Sequence, residues 1–218
     1  MNRVVQNTAD GTPTIAIPDM QVTYHSKYGA VQESRHVFIQ AGLQPLLTKY
    51  AVIRIFEMGF GTGLNALLTL EQAIEQGQAI YYQAVEKYPL NEDEINELNY
   101  TQILSREYFI VLHQCNWNEP VVIHPFFTLY KNHIRLQDFT AATPFHLVYY
   151  DAFAPAAQPE LWTQQIFEQL YAMLTNEGVL VTYCSKSDVR RNMLAAGFNV
   201  EKLPGPPGKR EMLRAIKH

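Results

Sequence analysis

The chain has 218 residues, a net charge of −4 and 47% hydrophobic residues, which suits one α/β domain with a small appendage and argues against disorder. Its apolar runs fall far short of the ~18 residues of a membrane span, and no basic stretch followed by an apolar run opens it. Cys115 and Cys184 form no CxxC pair, so neither a zinc site nor a disulfide framework is expected, and a protein of the reducing cytoplasm, with no membrane partner and no metal, is.

Residues 1–42 read as a small β arm, with short strands over Thr14–Ile17 and Gln21–His25 and a third apolar stretch over Arg35–Gln40. Residues 43–218 read as the main domain. A short helix over 43–49 precedes Val52–Phe56, a β-branched run typical of a buried strand that ends at Glu57. Leu64, Leu67, Leu68 and Leu70 then recur at helical spacing, and Gly77 closes the helix. Ile80–Val85 is a second strand ending at Glu86, followed by a helix near Asp93–Leu104. Phe126–Lys131 and His133–Asp138 read as a hairpin turned at Asn132. Phe145–Tyr150 is a strand ending at Asp151, Pro159–Leu174 a helix, and Val179–Cys184 a strand. Ser187 or Asp188 N-caps a helix that stops at Gly197. Strands Asn199–Leu203 and Met212–Ile216 close the chain. Alternating strands and helices predict a doubly wound α/β fold with a mostly parallel sheet and one antiparallel strand near the C-terminus.

Glu57, Glu86, Asp138 and Asp151 all stand at predicted strand ends, where an open α/β sheet places its ligands. Beside them runs Glu57-Met58-Gly59-Phe60-Gly61-Thr62-Gly63. The third glycine comes one residue too early for a dinucleotide fingerprint, and no Gly-Lys-Ser/Thr follows to make a P-loop. The E-x-G-x-G-x-G form resembles the first motif of class I, Rossmann-like methyltransferases, which use S-adenosyl-L-methionine. That cofactor offers ribose hydroxyls, an amino-acid end and a sulfonium, and no phosphate. Glu86, 27 residues beyond Gly59, suits the ribose hydroxyls. Asp138 is placed for the adenine amino group, and Glu57 for ordering the loop or meeting the cofactor amine. Asp151 heads Asp151-Ala152-Phe153-Ala154-Pro155 and is the candidate catalytic group, holding an acceptor amine and helping its proton leave; its alternative role is cofactor or loop support. Phe153 suits base stacking, though an aromatic there packs as often. Trp162 reads as core, and His25 and His36 as structural.

Several blocks carry a closer resemblance. Tyr24-His25-Ser26, Glu33-Ser34-Arg35-His36-Val37-Phe38, the glycine loop with Leu64-Asn65, and Glu86-Lys87-Tyr88-Pro89-Leu90 are four of them. Asp151-Ala152-Phe153-Ala154-Pro155, Pro159-Glu160-Leu161-Trp162-Thr163 and Gly208-Lys209-Arg210-Glu211-Met212-Leu213 complete the set. Together they resemble the methyltransferase domain of the bifunctional tRNA 5-methylaminomethyl-2-thiouridine biosynthesis proteins (MnmC-type). Ala152 stands where that family often has Gly. The resemblance implies N-methylation of 5-aminomethyl-2-thiouridine at the tRNA wobble position. It also implies cofactor contacts from Gly59, Phe60, Gly61, Thr62, Gly63, Glu86 and Lys87. The bifunctional proteins carry an FAD-dependent oxidase domain as well; a stand-alone methyltransferase, with any oxidase acting separately upstream, is the expectation here.

Residues 186–218 hold eight Lys/Arg against three Asp/Glu, a local excess of five on an otherwise acidic chain. With a tRNA anticodon loop as partner, Lys186, Arg190, Arg191, Lys209 and Arg210 become candidate phosphate contacts; without one they are solvated surface. Two other functions stay open at this stage. One is a small-molecule methyltransferase or a spermidine-synthase-like aminopropyltransferase, although the latter usually has an acid where Thr62 stands. The other is a non-catalytic RNA- or partner-binding module, against which the retained strand-end acids argue.

Overall fold

The computed structural model describes residues 2–98, 100 and 105–218. It begins with a three-stranded antiparallel sheet, β1 (Val4–Asn7), β2 (Pro13–Ile17) and β3 (Val22–Thr23). The first of these strands escaped the sequence reading because Val4-Val5 is too short a run to register.

The stretch expected as a third arm strand, Arg35–Gln40, is helical. Helix α1 (Ala30–Ser34) runs on as a wider π-type turn through Leu43. Val37, Phe38, Ile39 and Leu43 are buried, and Gly42 brings the backbone so close to the main sheet that a Cβ there would meet Val181 at 3.0 Å and Leu147 at 3.4 Å. Packing against the sheet therefore overrides the strand preference of Val-Phe-Ile.

The main sheet has eight strands in the order β10-β11-β9-β8-β4-β5-β7-β6. In chain order these are β4 (Val52–Met58), β5 (Ala79–Val85), β6 (Pro120–His124), β7 (Phe127–Asn132), β8 (Phe145–Tyr150), β9 (Leu174–Thr182), β10 (Asn199–Pro204) and β11 (Glu211–Ile216). β4, β5, β7, β8 and β9 pair in parallel, and β11 is the antiparallel strand expected near the C-terminus. β6 adds a second antiparallel strand at the far edge. The hairpin expected around Asn132 therefore sits earlier, between β6 and β7. Asn132 ends β7, where its side chain accepts from Gln83 Nε2 at 2.7 Å.

Helices α2 (Leu64–Gln76), α3 (Glu92–Glu97), α4 (Arg106–Gln114), α5 (Gln164–Met173) and α6 (Ser187–Ala195) cover the sheet. α3 starts with a capping box between Asn91 and Glu94. The remainder of the helix expected over 93–104 falls at Asn99 and at 101–104, outside the described residues. α4 was not anticipated. The helix expected from Pro159 is a 3-10 turn, Pro159–Leu161, followed by α5 with Thr163 as its cap, and β9 starts five residues earlier than expected. Lys186, not Ser187 or Asp188, is the N-cap of α6.

Alternation along β8 sends Leu147 and Tyr149 into a core with α1, α2 and α4, and Val148 and Tyr150 into a second core with α5 and α6. The chain leaves β4 toward β5 on one side and returns through β8 on the other. That reversal opens a crevice beyond the carboxyl ends of β4 and β8.

Candidate active site

A cavity of about 430 Å³ occupies this crevice, within the range of small-molecule sites. Its floor is the turn after β4. Gly59 and Gly61 adopt φ of +88° and +52°, a region that side-chain-bearing residues rarely enter. Gly59 N–H donates to Val85 O at 3.1 Å, stitching the turn to β5. Glu86 holds it from the other side. One carboxylate oxygen accepts from Gly61 N–H at 3.1 Å and the other from Tyr88 N–H at 2.8 Å. Glu86 lines the cavity, and each of its oxygens can accept a further hydrogen bond.

The unanticipated α4 buttresses the same turn. His113 Nε2 lies 3.0 Å from Thr62 O. Burial pushes the His113 pKa down to about 4, so the ring is neutral and Nε2–H is the donor. The fully buried Lys131 donates to Leu112 O and His113 O at 2.8 Å each, capping α4, and lies 5.3 Å from the Phe60 ring centroid.

Asn65, in the first turn of α2, joins two acids. Its Nδ2 donates to Glu57 Oε1 at 2.9 Å and to Asp151 Oδ2 at 3.0 Å. Burial lifts Glu57 well above the usual carboxylate range, against the hydrogen bond from Asn65. Asp151 rises to about 7, chiefly through burial and then through the charge of Glu33, while Asn65 and Lys209 pull the other way. A half-buried carboxylate on the cavity wall, titrating near neutrality, is fitted to accept and release a proton.

Of the residues singled out in the sequence, Gly59, Phe60, Gly61, Thr62, Glu86, Lys87, Asp151 and Phe153 line the cavity. Glu57 lies beneath the turn, 1% exposed, and its Oε2 lacks a partner among the described residues. Gly63 begins α2 against His113 and Phe60. Asp138 does not line the cavity. With no strand over His133–Asp138, it sits on a 3-10 turn (Leu136–Asp138), exposed, with Arg135 donating to it at 2.6 and 2.9 Å. That hydrogen bonding holds its carboxyl below the usual range. Leu136 and Gln137 line the cavity in its place.

None of the five basic candidates lines the cavity. Lys209 pairs with Glu33 and Arg191 with Asp188. Lys186 and Arg210 are exposed and Arg190 is half-buried.

Sequence reasoning missed Asn65 as a site residue, although a polar side chain directly after the glycine turn was a usable signal. It also missed the arm's share. Arg3, Met20, Tyr24 and His25 all line the cavity. Arg3 is latched to Glu94 at 3.1 Å and to Pro89 O at 3.2 Å, contacts across more than 80 residues that local patterning does not reveal. His25, kept neutral by burial with a pKa of about 4, lies 3.1 Å from Thr14 Oγ1 and 3.4 Å from Thr62 Oγ1. Tyr24 packs edge-on against Phe153, with centroids 5.0 Å apart.

These residues suit adenosylmethionine. The glycine backbone permits close approach, and Glu86 and Asp151 bring carboxylates to the cavity wall.

Comparison with known proteins agrees with this reading. Residues 128–218 match the model of a family described as S-adenosyl-L-methionine-dependent methyltransferases. The chain is 30% identical over 239 residues to the tRNA 5-methylaminomethyl-2-thiouridine biosynthesis bifunctional protein MnmC of Pseudoalteromonas atlantica, covering 97% of this chain and 33% of that protein. It is 29% identical over 224 residues to the MnmC of Aeromonas hydrophila, covering 93% and 33%. The chain thus spans about a third of the length of the curated relatives it matches. The crystal structure of MnmC2 from Aquifex aeolicus superposes with a TM-score of 0.79 at 24% identity, covering 98% of this chain and 70% of that one; it shows the shared fold.

Proposed function

We propose that this chain is an S-adenosyl-L-methionine-dependent methyltransferase of class I, as the family match over residues 128–218 and the fold support, and that it methylates the aminomethyl nitrogen of 5-aminomethyl-2-thiouridine at the wobble position of tRNA. The names of the relatives, matched along nearly the whole chain, support that substrate. The observation that carries the chemistry is Asp151: a half-buried carboxylate on the cavity wall, hydrogen-bonded to Asn65 and titrating near pH 7.

When bound, the cofactor supplies an electrophilic methyl group on a sulfonium. The glycine turn and Glu86 hold it, with Lys87 and Thr62 on the same wall. An alkylamine arrives mostly protonated at neutral pH and has no lone pair to donate until it loses a proton. Asp151, ionised in part, accepts that proton and keeps the nitrogen aimed into the cavity. The arm contributes Tyr24 and His25 to the cavity wall. Phe153 offers a face to the extruded base, and Lys186, Arg190 and Arg210 offer charge to the anticodon backbone. A wobble base is only partly stacked, so turning it out costs comparatively little. The amine itself would come from an upstream FAD-dependent oxidase that removes a carboxymethyl group. No described helix is long and apolar enough to cross a membrane, and we place the protein with its tRNA in the cytoplasm.

The test in cells is nucleoside mass spectrometry of tRNA from a strain lacking this protein. Accumulation of 5-aminomethyl-2-thiouridine with loss of its N-methyl form supports the proposal. An unchanged nucleoside profile rejects it in favour of a small-molecule acceptor.

A further inference from the structure

Glu33 and the 208–211 segment line none of the cavity, yet they meet beside it. Lys209 Nζ pairs with Glu33 Oε1, and Glu33 Oε2 accepts from Ser26 N–H at 2.7 Å. The Lys209 ammonium also lies 3.8 Å from the centroid of the Tyr183 ring. Tyr183 in turn donates its hydroxyl hydrogen to Ala152 O at 2.8 Å, one residue past Asp151. The Glu33 side chain is 9% exposed and that of Lys209 31%. Drawing such a pair out of water costs much of what its attraction returns, so stability alone is a weak reason for its presence.

Asp151 is faced by groups from every element around it. Glu57 comes from β4, Tyr82 from β5, Tyr183 from the end of β9 and Glu33 from α1, with Asn65 of α2 as a neutral donor. Lys209 is the cation in this set, among the described residues. We propose that the Glu33–Lys209 pair is a positioning device for the transfer step: its two charges set opposing fields at the Asp151 carboxylate, and through Tyr183 it fixes the turn from Asp151 to Phe153. Lys209 favours the ionised carboxylate that receives the substrate proton, and Glu33 opposes it, consistent with the directions in which each moves Asp151. The sequence blocks that hold these residues, one in the arm and one in the tail, thereby gain a role in the chemistry. This inference rests on the reading of Asp151 as the group that meets the amine.

The test is the titration of the Asp151 carboxyl carbon by NMR in cofactor-bound protein, with Asp151→Asn identifying the resonance, in the parent chain, Lys209→Met, Glu33→Gln and Lys209→Arg. Lys209→Met should raise the midpoint and Glu33→Gln lower it, each by about half a pH unit, or about threefold in the ionised fraction below the midpoint. Lys209→Arg should restore the parent value, and cofactor affinity should stay within about twofold throughout. The acid limb of the methylation rate on tRNA should move with each midpoint. Midpoints that stay put, or move in the same direction in both charge-removing variants while the cofactor still binds, overturn the proposal. Midpoints that separate as stated in a protein that leaves 5-aminomethyl-2-thiouridine untouched uphold the pair's effect on Asp151 and reject the substrate.

Discussion

Asn65 Nδ2 stands 3.0 Å from Asp151 Oδ2, and the same nitrogen serves Glu57 2.9 Å away. A single amide thus bridges two acids, the buried Glu57 and the half-buried Asp151 on the cavity wall. Its hydrogen bond favours the charged form of Asp151. Asn65→Leu should therefore raise the Asp151 midpoint above about 7 and move the acid limb of the pH–rate profile upward. Steady-state kcat measured from pH 6 to pH 9 checks this; a limb that stays in place removes Asn65 from the account.

Asp151→Asn keeps the shape of the side chain and removes the proton acceptor. Loss of a general base typically costs about 10²- to 10⁴-fold in rate, so kcat should fall by about 100-fold or more. Cofactor affinity measured by calorimetry should change little. The reverse split would make Asp151 a cofactor ligand.

Glu86→Ala removes the acceptors proposed to hold the cofactor and also frees Gly61 N–H and Tyr88 N–H. A hydrogen bond to a charged acceptor contributes about 1.5–3 kcal/mol, so loss of the carboxylate should weaken cofactor affinity by about tenfold to 100-fold. Calorimetry at matched protein stability reads this directly, and parent-like affinity would contradict it.

Much of the fold was legible. Strands β4, β5 and β8, helix α2 and the closing pair β10–β11 announce themselves by continuous apolar runs or helical spacing bounded by glycine or proline. The misreadings share one cause, which is that period and propensity report local preference and not what lies opposite. Val37-Phe38-Ile39 has strand chemistry but packs as a helix because Gly42 lets that helix sit on Val181 and Leu147. β7 ends at Asn132, opposite Val85 at the end of β5, so Asp138 falls beyond the strand on an exposed turn beside Arg135. In the site, the glycine turn and Glu86 were readable because a backbone turn and its acid follow a fixed spacing. Arg3, His25, and the pairing of Lys209 with Glu33 depend on contacts between distant segments and leave no local trace.

Gly42→Val tests the fold side of the account. A Cβ at Gly42 meets Val181 Cγ2 at 3.0 Å, and overpacking of this kind typically costs about 1–3 kcal/mol. The midpoint of thermal unfolding should drop by several degrees with the cofactor site otherwise intact; unchanged unfolding would mean the helix does not press on the sheet there.

The buried acids predict a dependence of stability on pH. Asp151 titrates near 7 when folded and near 3.8 by its ordinary value. The folded state therefore holds the extra proton between those values, and this contribution is lost as pH rises through that window. His25 and His113, each lowered to about 4, act in the opposite sense between pH 4 and 6.5, so the parent curve mixes both. Asp151→Asn isolates the first contribution. Its stability relative to the parent chain should climb from pH 4 to pH 7, by at most about 1.4 kcal/mol per pH unit. A difference that stays flat across that range in urea titrations contradicts a raised Asp151.

The most direct measurement is methyl transfer with purified components. The protein is incubated with S-adenosyl-L-methionine carrying a labelled methyl group and with tRNA bearing 5-aminomethyl-2-thiouridine, and the digested nucleosides are separated by mass. The label should appear in 5-methylaminomethyl-2-thiouridine and nearly vanish with Asp151→Asn. Label absent from the tRNA, carried on another nucleoside, or unaffected by that substitution would contradict the account.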